Sequence, residues 1–384
     1  MKAWWIGIPV LLALQQPQPA CSPDPSAPPP AQDDGPPPVG DTFVAADGTR
    51  FLVETFARNL EVPWALAFAP DGRLFVTERP GRVRIIQNRQ VLPTPALTLT
   101  DVSATAESGL LGIALHPDFS SNHLVFIVYT ANVGGGRTAN RLARYREVNN
   151  TLAERAILVD DIPAAPIHDG ARLKFGPDRL LYMTMGDAAV QSLAQDLASY
   201  AGKILRFNDD GTSARGNPFG SPVYSYGHRN PQGIDFSPLT GELWETEHGP
   251  TGFDEVNRIR AGANYGWPEI TGAQTRPGME VPVLFYNPSI APSGMAFYRG
   301  TAVPGFTNNI FFGTLRGAHL HRVRLDASGT RVEAEERLLQ DRYGRIREVV
   351  SGPDGFLYFT TSNRDGRGSP AAEDDRILRI RPAS

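Results

Sequence analysis

The sequence predicts an all-β fold, a six-bladed β-propeller. Three observations carry this expectation. A unit of the form apolar strand, Pro/Gly/Asp turn, apolar strand recurs six times along the 384 residues. The 38 glycines and 34 prolines fall between short apolar runs, as all-β turns require. Further strand candidates bring most repeats to about four strands, and a two-sheet sandwich does not explain a period of roughly 60 residues.

In chain order the units are Ala65–Thr77, Leu110–Tyr129, Leu173–Thr184, Ile234–Thr246, Met295–Gly313 and Val349–Thr360. Anchored on Phe68, Leu115, Phe175, Phe236, Phe297 and Val350, their spacings are 47, 60, 61, 61 and 53. Arg82–Ile86, Leu142–Tyr145, Gly202–Phe207 and His321–Leu325 supply additional strands. The leading segment Arg50–Phe56 and the trailing segment Arg376–Ile380 are expected to share one blade and close the ring.

The ends read differently. Residues 1–20 resemble a signal peptide: Lys2 precedes an apolar run, Trp4–Leu14, too short to span a bilayer. The only cysteine, Cys21, follows Ala20, either as a lipoprotein cleavage site or as an unmodified residue of an ordinary exported protein. Residues 21–42 form a Pro-rich linker that cannot pack a core, and residues 43–384 form the propeller domain. The expected location is outside the cytoplasm, periplasmic or membrane-anchored as a lipoprotein. No disulfide is available to the folded part. A net charge of −4 without a basic patch sets nucleic acid aside as a partner.

The repeat also predicts where chemistry sits. The first strand of each propeller blade lines the central axis, so residues just before it converge on one rim. His168 and Arg229 each stand seven residues before their anchors, and Glu107 stands eight before its own. Arg345 and Arg347 precede Val350 by five and three, and their alternation across Ile346 puts them on one side of a strand. One axial pocket collecting these groups is expected. The stretch Ser225–Pro268 displays much of it: a Gly-His-Arg-Asn-Pro turn, two strands, then Glu247-His-Gly-Pro250 and a polar, glycine-containing segment.

The motifs Tyr226-Gly-His-Arg-Asn-Pro-Gln-Gly233, Glu247-His-Gly-Pro250, Asp254-Glu-Val-Asn257 and Gly262-Ala-Asn-Tyr-Gly-Trp-Pro268 occur in one order with Ser108–Phe119, His168–Leu173, Gly186-Asp187, Ala194–Leu197 and Gly202-Lys203. In these blocks the chain resembles the soluble quinoprotein glucose/sorbosone dehydrogenases, in particular their aldose sugar dehydrogenase branch, over roughly Asn59–Ile380. The resemblance implies a six-bladed propeller holding pyrroloquinoline quinone (PQQ) and calcium, and oxidation of the C1 hydroxyl of an aldose sugar to the lactone. It places the general base on His168 and the pair beside the quinone on Arg229 and Asn230. Hydride would pass to the quinone C5, with Arg229 and calcium activating that carbonyl. It places carboxylate-binding groups on Arg345 and Arg347, and on Arg316, where the family often has lysine. Gly249 and Pro250 match carbonyl ligands of the calcium facing the quinone; Glu255 and Tyr265 match a second, structural calcium site. Glu107 stands where glucose-oxidising relatives carry glutamine, and their aromatic wall over the sugar does not align cleanly with Leu284–Asn287. An open pocket taking several aldoses is therefore expected.

No Cys-x-x-Cys-His haem attachment is present, so electrons would leave to an external acceptor, a cytochrome or a quinone. Two other readings share the architecture. A calcium-dependent lactonase would use His168 to activate water, but a neutral lactone needs no clamp of arginines. A non-catalytic envelope propeller that binds a glycan or protein would not need the His168, Arg229, Asn230, Arg345 and Arg347 constellation.

Overall fold

A computed structural model describes residues 40–383, almost entirely as strands and turns. The signal-like segment, Cys21 and nearly all of the expected linker lie outside the described residues. Six sheets are present, each one blade. Blade 1 comprises Pro63–Phe68, Leu74–Glu78 and Arg82–Gln87, its outer edge supplied by the two short strands Gln90–Val91 and Leu97–Thr98. Blade 2 comprises Leu110–Leu115, Leu124–Gly134, Arg137–Val148 and Thr151–Pro163; blade 3, Leu173–Phe175, Leu181–Met185, Lys203–Phe207 and Val223–Tyr226. Blade 4 comprises Pro231–Phe236, Leu243–Glu247, Asp254–Ile259 and Leu284–Tyr286; blade 5, Pro292–Phe297, Ile310–Thr314, Leu320–Leu325 and Val332–Leu338.

Blade 6 joins both ends of the described chain. Ile346–Ser351, Leu357–Thr361 and Ile377–Pro382 pair onward to Arg50–Ala57, which pairs with Asp41–Val44. Phe51 faces Pro382 and Val53 faces Ile380 across the closing seam. Each inner strand neighbours the next and the sixth returns to the first, so the ring is closed. One boundary is corrected: Asp41 and Thr42 belong to the propeller rather than to the linker, because they pair with Val53 and Leu52.

The second strand of five blades is buried along all five residues, because neighbouring blades cover both of its faces. Such strands read as continuous runs rather than alternation. Their threonines recur for a reason. The Thr77, Thr184, Thr246 and Thr360 hydroxyls donate to Leu111 O, Pro231 O, Ser293 O and Pro63 O, on the inner strand of the following blade. Each buried hydroxyl thus finds a partner and each bond ties two blades together. Among the described residues no helix is long and apolar enough to cross a membrane.

Candidate active site

Every inner strand begins near one rim, and the residues entering those strands surround an axial cavity of about 230 Å³. Four arginines, Arg316, Arg345, Arg347 and Arg367, face the carboxylates of Glu107 and Asp169 around it, with Trp64, Gln232 and His248 completing the wall. Positive charge therefore predominates.

Arg347 lies on the inner strand of blade 6 and is only 6% exposed. Its Nη1 donates to Gln232 Oε1 at 2.9 Å, while its Nε has no partner and no ion pair forms with any described residue. Burial pushes this guanidinium down to about 9. A buried cation without a counter-charge is costly unless an anion is meant to meet it. Arg345 stands one residue before that strand, across Ile346 from Arg347, and lines the same cavity. Its Nε donates to Asp365 Oδ2 at 2.8 Å and its Nη1 to Leu315 O at 2.9 Å. Arg316 sits exposed at the rim, held by its backbone N–H to Ile290 O.

Glu107 is the hub between the cavity and the remaining expected residues. Its Oε1 accepts from Arg367 at 2.8 Å, and its Oε2 accepts from the His168 backbone N–H at 3.1 Å and from Asn230 Nδ2 at 3.5 Å. Burial pushes this carboxyl up, but His248, Arg367 and the His168 N–H outweigh it and hold it at about 2. Asp169 is different. It accepts from Ser108 Oγ and Asn140 Nδ2, both at 2.9 Å, and burial pushes it up to about 6.

His168, Arg229 and Asn230 adjoin the 230 Å³ cavity without lining it. The His168 backbone is left-handed, with φ of 65°. Its Nδ1 lies 2.8 Å from Asp187 Oδ1, and Asp187 also accepts from Trp267 Nε1 and the Ala189 N–H at 2.8 Å each. A carboxylate partner makes Nδ1 the donor and leaves Nε2 as a bare lone pair, with no partner among the described residues. Arg229 lies over the Trp267 ring at 5.3 Å and donates from Nη1 to His248 O at 3.1 Å. Its Nε is buried without a partner. Asn230 Oδ1 accepts from Gly170 N–H and Gln232 Nε2.

The four residues expected at calcium meet in a second, smaller cavity of about 10 Å³, enough for one ion or water. Gly249, Pro250, Glu255 and Tyr265 line it, together with Arg229 and Glu247. The two calcium sites expected as separate, Gly249 with Pro250 and Glu255 with Tyr265, thus fall on one cavity with room for one ion. Glu247 and Glu255 face each other across the strand pair, and burial pushes both up to about 8. Tyr265 spends its hydroxyl on Arg258 O and the Arg260 N–H, so only its carbonyl is free to act as a ligand. No side chain fits at position 249, where a Cβ would meet Gly252 O at 2.1 Å. Carboxylates crowded beside backbone carbonyls suit a hard dication.

Sequence reasoning gave no role to Asp187, His248, Arg367 or Trp64. The Gly186-Asp187 and Glu247-His-Gly-Pro250 blocks were the available signals for Asp187 and His248; Arg367 and Trp64 reach the rim only through tertiary folding.

A family model described as Glucose / Sorbosone dehydrogenase matches residues 60–378. The chain belongs to that family. Among glucose/sorbosone dehydrogenase relatives, aldose sugar dehydrogenase YliI of Escherichia coli (strain K12) is 33% identical over 343 residues, 82% of this chain and 91% of that protein. Quinoprotein glucose dehydrogenase B of Acinetobacter calcoaceticus is 26% identical over 84% of this chain and 88% of its own. The PQQ-bound aldose sugar dehydrogenase of Streptomyces coelicolor superposes with a TM-score of 0.78 at 37% identity, covering 90% of this chain and 99% of its own.

Proposed function

We propose that this protein is an exported, PQQ- and calcium-dependent dehydrogenase that oxidises the C1 hydroxyl of aldoses to lactones. The observation that carries this is the His168–Asp187 pair beside an axial cavity whose buried Arg347 guanidinium forms no direct ion pair with a described residue. A tricarboxylate fits those residues: Arg345, Arg347 and Arg316 would hold carboxylates, and Arg229 and Asn230 would lie beside the quinone, with Glu107 at the same wall. The 10 Å³ cavity, with Gly249, Pro250, Glu255 and Tyr265, would hold Ca²⁺. When bound, PQQ supplies the acceptor for the hydride leaving C1, and Ca²⁺ supplies Lewis acidity.

The chain's own part is proton transfer, orientation and charge. His168 Nε2 takes the C1 hydroxyl proton as general base, and Asp187 keeps the ring in the tautomer that can accept it. Arg229 stabilises negative charge developing opposite it. Glu107 pins the His168 backbone and presents a carboxylate to the sugar. The open rim supports a range of aldoses, and the electrons go to an external acceptor, a cytochrome or a quinone. The signal-like segment supports export, with or without a lipid anchor on Cys21.

Dye-linked oxidation of an aldose panel by metal-stripped protein tests this reading. Activity is expected only when PQQ and Ca²⁺ are added together. Lactone hydrolysis without PQQ would instead favour the lactonase reading. The Asp187→Asn variant is expected to lose on the order of 10²–10⁴ in kcat, with KM nearly unchanged, because the amide favours the wrong tautomer. An unaltered kcat would mean that Asp187 does not orient the base.

A further inference from the structure

Blade 4 holds a second group of ligand-type atoms, sharing only Glu247 with the calcium cavity. Glu245 and Glu247 alternate on the second strand and so point to one face. His228, in the turn before the blade, joins them. One ligand atom from each of His228, Glu245 and Glu247 lies within 4.8 Å of the others, and all three residues are buried.

The hydrogen bonding around this group is incomplete. His228 Nδ1, Glu245 Oε1 and Asn257 Oδ1 are buried with no hydrogen-bond partner. These side chains are at most 1% exposed. Asn257 turns its Nδ2 to Glu245 Oε2 at 3.1 Å and to Glu255 Oε2 at 3.3 Å, so its oxygen is the end left over. His228 Nε2 lies 2.8 Å from Ser225 Oγ, whereas Nδ1 lies 3.6 Å from Glu247 Oε2, beyond hydrogen-bond reach. With Nε2–H donating to Ser225, Nδ1 is a lone pair turned toward carboxylates. A proton shared by the two glutamates would leave the imidazole and amide lone pairs unmet. A cation meets all of them. Glu247 Oε2 meanwhile accepts from the Arg229 backbone N–H at 3.0 Å, which fixes its orientation.

We propose that His228 Nδ1, Glu245 and Glu247 hold a divalent cation of intermediate hardness, of the Mn²⁺ or Zn²⁺ class, inside blade 4. The imidazole nitrogen selects against Ca²⁺, which takes oxygen ligands, and the carboxylates favour a dication. Ser225 on the far nitrogen is the outer partner that a metal-bound histidine ordinarily has. Asn257, whose Nδ2 donates to Glu245, keeps an unpartnered Oδ1 as a further oxygen beside the group. The site would fix the turn His228–Asn230, and through it Arg229 and Asn230.

The test uses the full chain and the metal alone, without PQQ or sugar, so its result is independent of the dehydrogenase reading. Protein stripped with chelator is saturated with CaCl₂ and titrated with MnCl₂, with free Mn²⁺ followed by electron paramagnetic resonance. One Mn²⁺ per chain is expected to bind at saturating Ca²⁺ and to be displaced by Zn²⁺. Its spin-echo modulation should show a directly coordinated ¹⁴N. Glu245→Gln should weaken Mn²⁺ on the order of 100-fold, while unfolding in metal-free buffer stays unchanged or moves to higher temperature. No Mn²⁺ uptake in the presence of Ca²⁺, bound Mn²⁺ without ¹⁴N coupling, or wild-type affinity in Glu245→Gln would each overturn the proposal.

Discussion

Sugar oxidation by the His168→Ala variant falls by roughly 10²–10⁴ in kcat while PQQ and Ca²⁺ remain bound. Two histidines stand close to the axial cavity, and only His168 has its ring hydrogen-bonded to a carboxylate. His248 lines the cavity, but its Nε2 is 2.8 Å from Pro292 O, and burial pushes it down to about 4. His168 leaves Nε2 open because Asp187 takes Nδ1. Removing the ring leaves Asp187 with its bonds from Trp267 and Ala189, so the surrounding turn is expected to persist. The left-handed φ of 65° favours His168→Asn as a companion variant, since asparagine tolerates that conformation. Both variants should titrate with PQQ as the wild type does. Retained turnover in both would remove His168 from the mechanism.

Replacing Arg172 with methionine is expected to destabilise the fold by about 3–5 kcal/mol. Arg172 and Glu348 form an ion pair, both buried, beneath the cavity floor. Arg172 also donates from Nε to Gln232 O at 2.9 Å and lies over Trp64 at 4.1 Å, so it links blades 1, 3, 4 and 6. Burial pushes the Glu348 carboxyl up, and Arg172 opposes that rise. Without Arg172 the carboxylate is buried and uncompensated. Protonation then relieves the penalty: a group whose folded-state affinity for protons is raised stabilises below its unfolded pKa and loses that contribution as pH rises. The Arg172→Met defect should accordingly shrink as pH falls from neutral toward the carboxylate range. The double variant Arg172→Met, Glu348→Gln should unfold at higher urea than the single one. If urea midpoints of the single variant match the wild type at neutral pH, the pair is not a structural tie.

Much of the fold was legible because the propeller repeats its local chemistry. The anchors Phe68, Leu115, Phe175, Phe236 and Phe297 each close an inner strand, and Val350 stands one residue from the end of its own. The threonines ending the repeats at Thr77, Thr184, Thr246 and Thr360 are the ones that bond to the next blade. Counting back from the anchors found Glu107, Arg345 and Arg347 on one cavity, with His168 and Arg229 adjoining it. What escaped the count depends on contacts between distant segments. Arg367 meets Glu107 across 260 positions, and Trp267 meets Asp187 across 80. No local pattern encodes such pairs. Glu245 escaped for another reason: a fully covered strand loses the alternation that would mark an inward acid as unusual.

The most direct measurement mixes PQQ- and Ca²⁺-loaded protein with an aldose in the absence of oxygen and any electron acceptor. The account predicts that the quinone absorbance bleaches once, with one lactone formed per bound PQQ, and that His168→Ala bleaches at least a hundredfold more slowly. A loaded protein whose absorbance no aldose alters, or a chain that takes up no PQQ at all, would contradict it.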